Sequence, residues 1–175
     1  MSSSATPLHP AAPRIVAFEP AHAEPAVALI LHVQNVEGGV GIPIEDQPDL
    51  LDIPAHYAAT GGGFWVALDE ADRVVGTIAL QLKGRGIAVM KKFFVAADWR
   101  GADRGCAARL FGTLLAHARQ AGVSTIVLDT PAVSTRSHAF YRREGFVQIA
   151  AHDLPVKYDF PDRNSLFFRL DLQPR

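Results

Sequence analysis

Between Gly86 and Gly122 the chain gathers the residue types that hold a phosphate. The run GIAVMKKFFVAADWRGADRGCAARLFGTLLAHARQAG sets two glycines, Gly101 and Gly105, and two arginines, Arg100 and Arg104, in a short loop ahead of an amphipathic stretch. Glycine lets the backbone approach a ligand closely and adopts dihedrals that other residues avoid. The N–H groups of such a loop and of the first helical turn are unpaired and point outward. The helix dipole adds about 0.3–1 kcal/mol for a bound anion, and up to about 2 kcal/mol when the site is partly buried. Arg100 and Arg104 can add charge-assisted hydrogen bonds. Asp103 opposes an anion unless it caps the helix through a backbone N–H. Cys106, the single cysteine, reads as a small residue packed at the helix start, with an oxidation-sensitive thiol as the other reading. The seven histidines show no metal-ligand spacing, so no metal site is expected.

The elements that must position this loop belong to an ordinary soluble domain. The chain has 175 residues, 49% of them hydrophobic and 20% charged, with a formal net charge of −1, and that length suits one domain with a proper core. No basic block indicates a nucleic-acid surface. No apolar run approaches the ~20 residues of a membrane span, and the first residues lack the pattern of a secretory signal. With one cysteine and no disulfide framework, a cytoplasmic protein is the default. Residues 1–13 (MSSSATPLHPAAP) read as a flexible tail ahead of a domain over 14–175.

Within that domain RIVAF fits a first strand, and spacing over 21–36 predicts a helix ending near Gly38-Gly39. The proline-marked segment from Gly38 to Gly63 cannot be one helix. It predicts short helical pieces at roughly 47–52 and 54–59, and a connection of this length is a natural acceptor-binding lid. FWVAL and VVGTIALQL form an antiparallel hairpin. IAVMKKFFVA reads as a central strand, with Lys91 and Lys92 pointing to opposite faces. A helix over 104–121 carries an apolar stripe of Ala107, Leu110, Phe111, Leu114, Leu115 and Ala118, with Gly122 just past its end. STIVLD follows as a buried strand parallel to the one before the helix. A short helix over 135–143, the strand FVQIA, a polar loop and SLFFRLDL complete the chain. His138 is expected on the surface of that short helix.

The hairpin, the strand FFVAADWRG, the glycine loop into a helix, the strand VLDT and the closing AFYRREGF together resemble the Gcn5-related N-acetyltransferases (GNAT). The resemblance covers roughly Phe64 to Ile149. It implies an α/β single-domain GNAT-like fold: a central mixed, mostly antiparallel sheet with a splayed parallel pair and helices on both faces. The family's loop is usually Arg/Gln-x-x-Gly-x-Gly/Ala followed by an aliphatic pair. Gly105-Cys106-Ala107-Ala108-Arg109-Leu110-Phe111 reproduces its second half, while Arg100-Gly101 stands two residues too early. A loop lengthened by two residues around Asp103 is preferred. The other register, Arg100-x-x-Asp103-x-Gly105, loses the first glycine and misplaces the aliphatic stripe.

The resemblance further implies acetyl-CoA as co-substrate, with its pyrophosphate on Arg100, Gly101, Ala102, Asp103, Arg104, Gly105, Cys106 and Ala107. Phe94 and Val95 match the strand whose backbone groups bond the pantetheine arm, and an amide there can polarise the thioester carbonyl. Tyr141 in Phe140-Tyr141-Arg142-Arg143-Glu144-Gly145-Phe146 matches the tyrosine that protonates the leaving thiolate. Ser134 stands where the family often has an asparagine that contacts CoA. The implied activity is direct acetyl transfer to an amine, small molecule or peptide, without a covalent intermediate, and a homodimer is allowed for. A non-catalytic CoA-sensing module is the alternative. The attacking amine must be neutral, and Glu45, Asp46 and Asp129 are candidates for the base.

Overall fold

Seven runs of β-branched and aromatic residues, broken by glycine and polar turns, build one sheet. The computed structural model describes residues 11–101, 103, 105–160 and 164–174. The strands are β1 (Arg14–Ala17), β2 (Gly63–Leu68), β3 (Val74–Gly84), β4 (Ile87–Val95), β5 (Thr125–Pro131), β6 (Val147–Ile149) and β7 (Ser165–Asp171). Their order is β1-β2-β3-β4-β5-β7-β6. Every neighbouring pair is antiparallel except β4 and β5, which are parallel and joined through the helix α4 (Cys106–Gln120). The other helices are α1 (Ala23–Leu31), α2 (Pro48–Leu51), α3 (Ile53–His56) and α5 (Thr135–Arg143). The expected α/β sheet with its parallel pair is therefore present. No helix among the described residues is long and apolar enough to cross a membrane.

The sheet has a core on each face because its central strands are apolar on both. On one face Trp65, Ile78, Leu80 and Met90 pack against Leu110 and Leu114 of α4. On the other, Phe64, Val66 and Ala79 pack against Ile30 of α1, Leu50 of α2, and Ile53 and Tyr57 at α3. Helix α4 comes so close to β3 that a Cβ on Gly76 would lie 2.8 Å from Leu110 Cδ1 and 3.1 Å from Cys106 Sγ. That contact requires glycine.

Three local features differ from the sequence expectation. Helix α4 begins at Cys106 rather than 104, because Gly105 holds φ 64° and ψ 7° and cannot extend the helix backwards. Helix α1 does not stop as a plain α-helix: His32 to Glu37 continue as a wider π-helical turn, a deviation found often at functional sites. Lys91 and Lys92 do not point to opposite faces. The β3–β4 register shifts between Thr77 and Ala79, and Lys92 sits at φ 52° in the resulting bulge. The inserted residue resets the alternation, so both lysines lie on the side away from α4. Lys92 Nζ reaches Gln47, while Lys91 Nζ reaches the Asp159 carbonyl at 3.1 Å in the β6–β7 connection.

Candidate active site

The site is built on an interruption in the sheet. Pairing between β4 and β5 is confined to Ile87–Thr125, Ala88–Ile126 and Val89–Val127. Beyond these pairs β4 runs on to Val95 and β5 to Pro131 with no rungs between them, while each keeps its outer partner. The two strands open a V whose inner edges have no backbone rungs across the gap. Side chains of β4 alternate across this stretch: Phe93 and Val95 pack into the core under α4, and Phe94 into the core on the opposite face.

The predicted phosphate loop lies beyond the end of β4, before α4. Gly105, the residue before the helix, is in the left-handed conformation, and Gly101 also has positive φ at 101°. Among the described residues no side chain caps the N-terminus of α4, and its first turn contains no acidic residue. The first-turn N–H groups of this 15-residue helix, starting from Cys106 and Ala107, therefore face outward with the positive end of the dipole. Asp103 is exposed in the loop and does not cap the helix. Ala102 and Arg104 lie outside the described residues. Arg100 is committed elsewhere. Its Nε donates to the Val95 carbonyl at 2.9 Å and its Nη2 pairs with Glu37 at the end of the π turn, tying the β4 end to that segment. Cys106 is fully buried, and burial pushes its thiol up to about 12, so it is a packing residue without thiolate character. Across the V, Ser134 precedes α5 with its hydroxyl unused as a cap.

Tyr141 stands on the inner face of α5 and is buried. Its ring packs against Phe146 and Phe168, at 5.6 and 5.7 Å between centroids, and more loosely against Phe93 of β4 at 6.4 Å. Burial, with a smaller contribution from the Asp129 charge, drives its phenol above the ordinary tyrosine range. His138, expected at the surface, is instead buried on the same helix, with Nε2 2.9 Å from the Pro131 carbonyl at the end of β5. The spacing of α5 alone hides this, because β5 ends directly beneath the helix.

The opposite face of the V is polar. Lys92 Nζ donates to Gln47 Oε1 at 2.6 Å and lies 3.5 Å from Asp49 Oδ2, with only 9% of its side chain exposed. Asp49 also accepts from the Tyr57 hydroxyl, and Gln47 bonds Gln34 at 2.8 Å. Thr77 donates to the Lys92 carbonyl at 2.7 Å, fixing the bulge from the strand side. Burial lowers the Lys92 ammonium from its usual range, and Asp49 partly restores it. Sequence reasoning missed this network, since its members are scattered over residues 34–92. Asp129 on β5 lies beside it, two residues past the last β4 rung. Burial raises its carboxyl, against an opposing pull from Lys91, and the buried Tyr158 hydroxyl lies next to it without reaching hydrogen-bond geometry. Glu45 and Asp46 are exposed on a turn ahead of α2.

This geometry has close counterparts. An acetyltransferase from Streptococcus agalactiae 2603 superposes with a TM-score of 0.87 at 38% identity, over 91% of this chain and 98% of that one. A GNAT-family acetyltransferase from Staphylococcus aureus Mu50 gives 0.86 at 28% identity, over 93% and 100%. Among curated proteins, Probable N-acetyltransferase family 8 member 5 of Mus musculus is 32% identical over 103 residues, 57% of this chain and 45% of the mouse protein. The chain spans about half the length of the curated relatives it matches. Residues 30–146 match the Acetyltransferase (GNAT) family, and that span holds the V, the α4 N-terminus and Tyr141. With the fold and the sequence agreeing over most of the domain, the chain belongs to the GNAT family of acetyltransferases.

Proposed function

We propose that the protein transfers the acetyl group of acetyl-CoA to an amine by direct attack within the V. The observation that carries this reading is the loss of β4–β5 rungs beyond Val89 and Val127, beside an uncapped α4 N-terminus. Acetyl-CoA supplies an activated thioester. The loop at Gly101 and Gly105 and the first turn at Cys106 and Ala107 bind the pyrophosphate through backbone N–H groups. The open edge of β4 near Phe94 and Val95 receives the pantetheine arm, and an amide there stabilises negative charge developing on the thioester oxygen. Ser134 faces the same ligand from the start of α5. Tyr141 holds its proton toward the departing sulfur. Arg100 serves by fixing the Val95 carbonyl and the π turn, whereas its guanidinium is already paired with Glu37.

Thiol release from acetyl-CoA, measured across polyamines, free amino acids and short peptides, tests the reading. Acceptor-dependent release together with calorimetric acetyl-CoA binding is the expected result. Binding without release to any acceptor would instead favour a CoA-sensing module.

A further inference from the structure

We infer that Asp129 takes the proton from the acceptor amine, and that the acceptor is a primary alkylamine arriving as its ammonium ion. The inference rests on the acetyltransferase reading and adds the base that reading leaves open. Four carboxylates on the acceptor side come into question. Glu45 and Asp46 are exposed on a turn, and Asp49 is already held by Lys92 and Tyr57. Asp129 is half-buried in the V, two residues past the last β4–β5 rung, and alone of the four it is withdrawn from open solvent with no ion-pair partner among the described residues.

Its surroundings suit a proton acceptor. Lys91 and Lys92 face it from β4, Tyr57 from the end of α3, Tyr141 from α5, and Tyr158 from the β6–β7 connection. Both ammonium groups are turned to other partners, Lys91 to the Asp159 carbonyl and Lys92 to Gln47 and Asp49. The lysines thus pull against the burial that raises the Asp129 carboxyl, through space and without pairing with it. An incoming ammonium ion supplies the missing counter-charge. Burial makes the carboxylate more basic than an exposed one, which brings it closer to the range useful in proton transfer.

The step balances. The ammonium gives one proton to Asp129, and its freed lone pair forms the C–N bond at the thioester carbon as the C–S bond breaks. A second N–H proton is lost on forming the amide, and the sulfur gains one through the Tyr141 hydroxyl. The net change is one proton released to solvent from Asp129.

The Asp129→Asn variant tests this with two nucleophiles, an alkylamine drawn from the panel above and hydroxylamine, which is already neutral near pH 7. Transfer to the alkylamine should fall by about 100-fold, with its acid limb abolished, while transfer to hydroxylamine and acetyl-CoA affinity by calorimetry stay within about 3-fold. Thermal melts give a second readout. The folded protein holds the Asp129 proton more tightly than the unfolded chain, so the ionised form costs stability above the ordinary carboxylate range. Asn should therefore raise Tm near neutral pH, and the difference should shrink as pH falls through the raised pKa. Unchanged transfer to the alkylamine, equal loss with both nucleophiles, or a lowered Tm would each overturn the assignment. A wild-type protein that binds acetyl-CoA but acetylates no amine would instead remove the functional reading beneath it.

Discussion

Tyr141 is protonated across the physiological range, and its environment makes it a reluctant acid. A thiol near ~8.5 and a phenol near ~10 already make proton transfer to sulfur uphill by about 2 kcal/mol, and burial beside Asp129 widens that gap. In the proposed mechanism Tyr141 therefore acts on the departing sulfur as a hydrogen-bond donor and passes its proton only as another replaces it. Tyr141→Phe should lower kcat by about 100-fold without moving acetyl-CoA affinity, as steady-state kinetics and calorimetry would show. The rate profile should have no basic limb from this residue below about pH 10. Gly105 makes a different demand, since its φ of 64° is set by the backbone while a Cβ would meet no atom within 4 Å. Gly105→Ala should cost about 1–2 kcal/mol of folding stability and weaken acetyl-CoA binding, read from urea midpoints and calorimetry. Tyr141 and Gly105 were both legible in the sequence because their motifs are local. Asp129 was legible only as one of three carboxylates. What distinguishes it, a half-buried place between strands that have parted, is tertiary.

At the scale of elements, the bulge in β4 connects the segment around α2 to the edge of the V. Lys92 holds a backbone conformation that costs about 1–3 kcal/mol for a residue with a side chain. It is kept there by Thr77 on one side and by Gln47 and Asp49 on the other. Lys92→Met should destabilise the fold by about 3–5 kcal/mol, because it strands the Asp49 charge in a buried site. Adding Asp49→Asn should recover much of that loss in chemical denaturation, since the amide can still accept from Tyr57. On the other face, Gly76→Ala should cost about 1–3 kcal/mol through overlap with Leu110 and Cys106. The helix α4, the hairpin and the parallel strand were readable from their periods. The bulge was not, because nothing near Lys92 in the chain announces Asp49 forty residues earlier. The buried His138 escaped for the same reason, its partner being the carbonyl of Pro131 at the end of another element.

At the scale of the whole molecule, ligand binding and folding share a seam. Acetyl-CoA at about 100 times its Kd should stabilise the folded state by about 2.7 kcal/mol. For a chain of this size that corresponds to roughly 5–10 °C in Tm, measurable by differential scanning fluorimetry. The three rungs between β4 and β5 give the result a particular shape. Strands β1 to β4 and strands β5 to β7 are two leaves, each hydrogen-bonded within itself, stitched along only the lower part of their shared margin and bridged by α4. In the proposed complex a pantetheine arm laid along the open margin would take the place of the absent rungs, making the co-substrate a temporary eighth strand. Amides on the inner edges of Met90–Val95 and Leu128–Thr130 should then exchange with solvent quickly in the unliganded protein and slowly in the complex. The protein leaves its sheet incomplete, and on the proposed mechanism each turnover would close and reopen it.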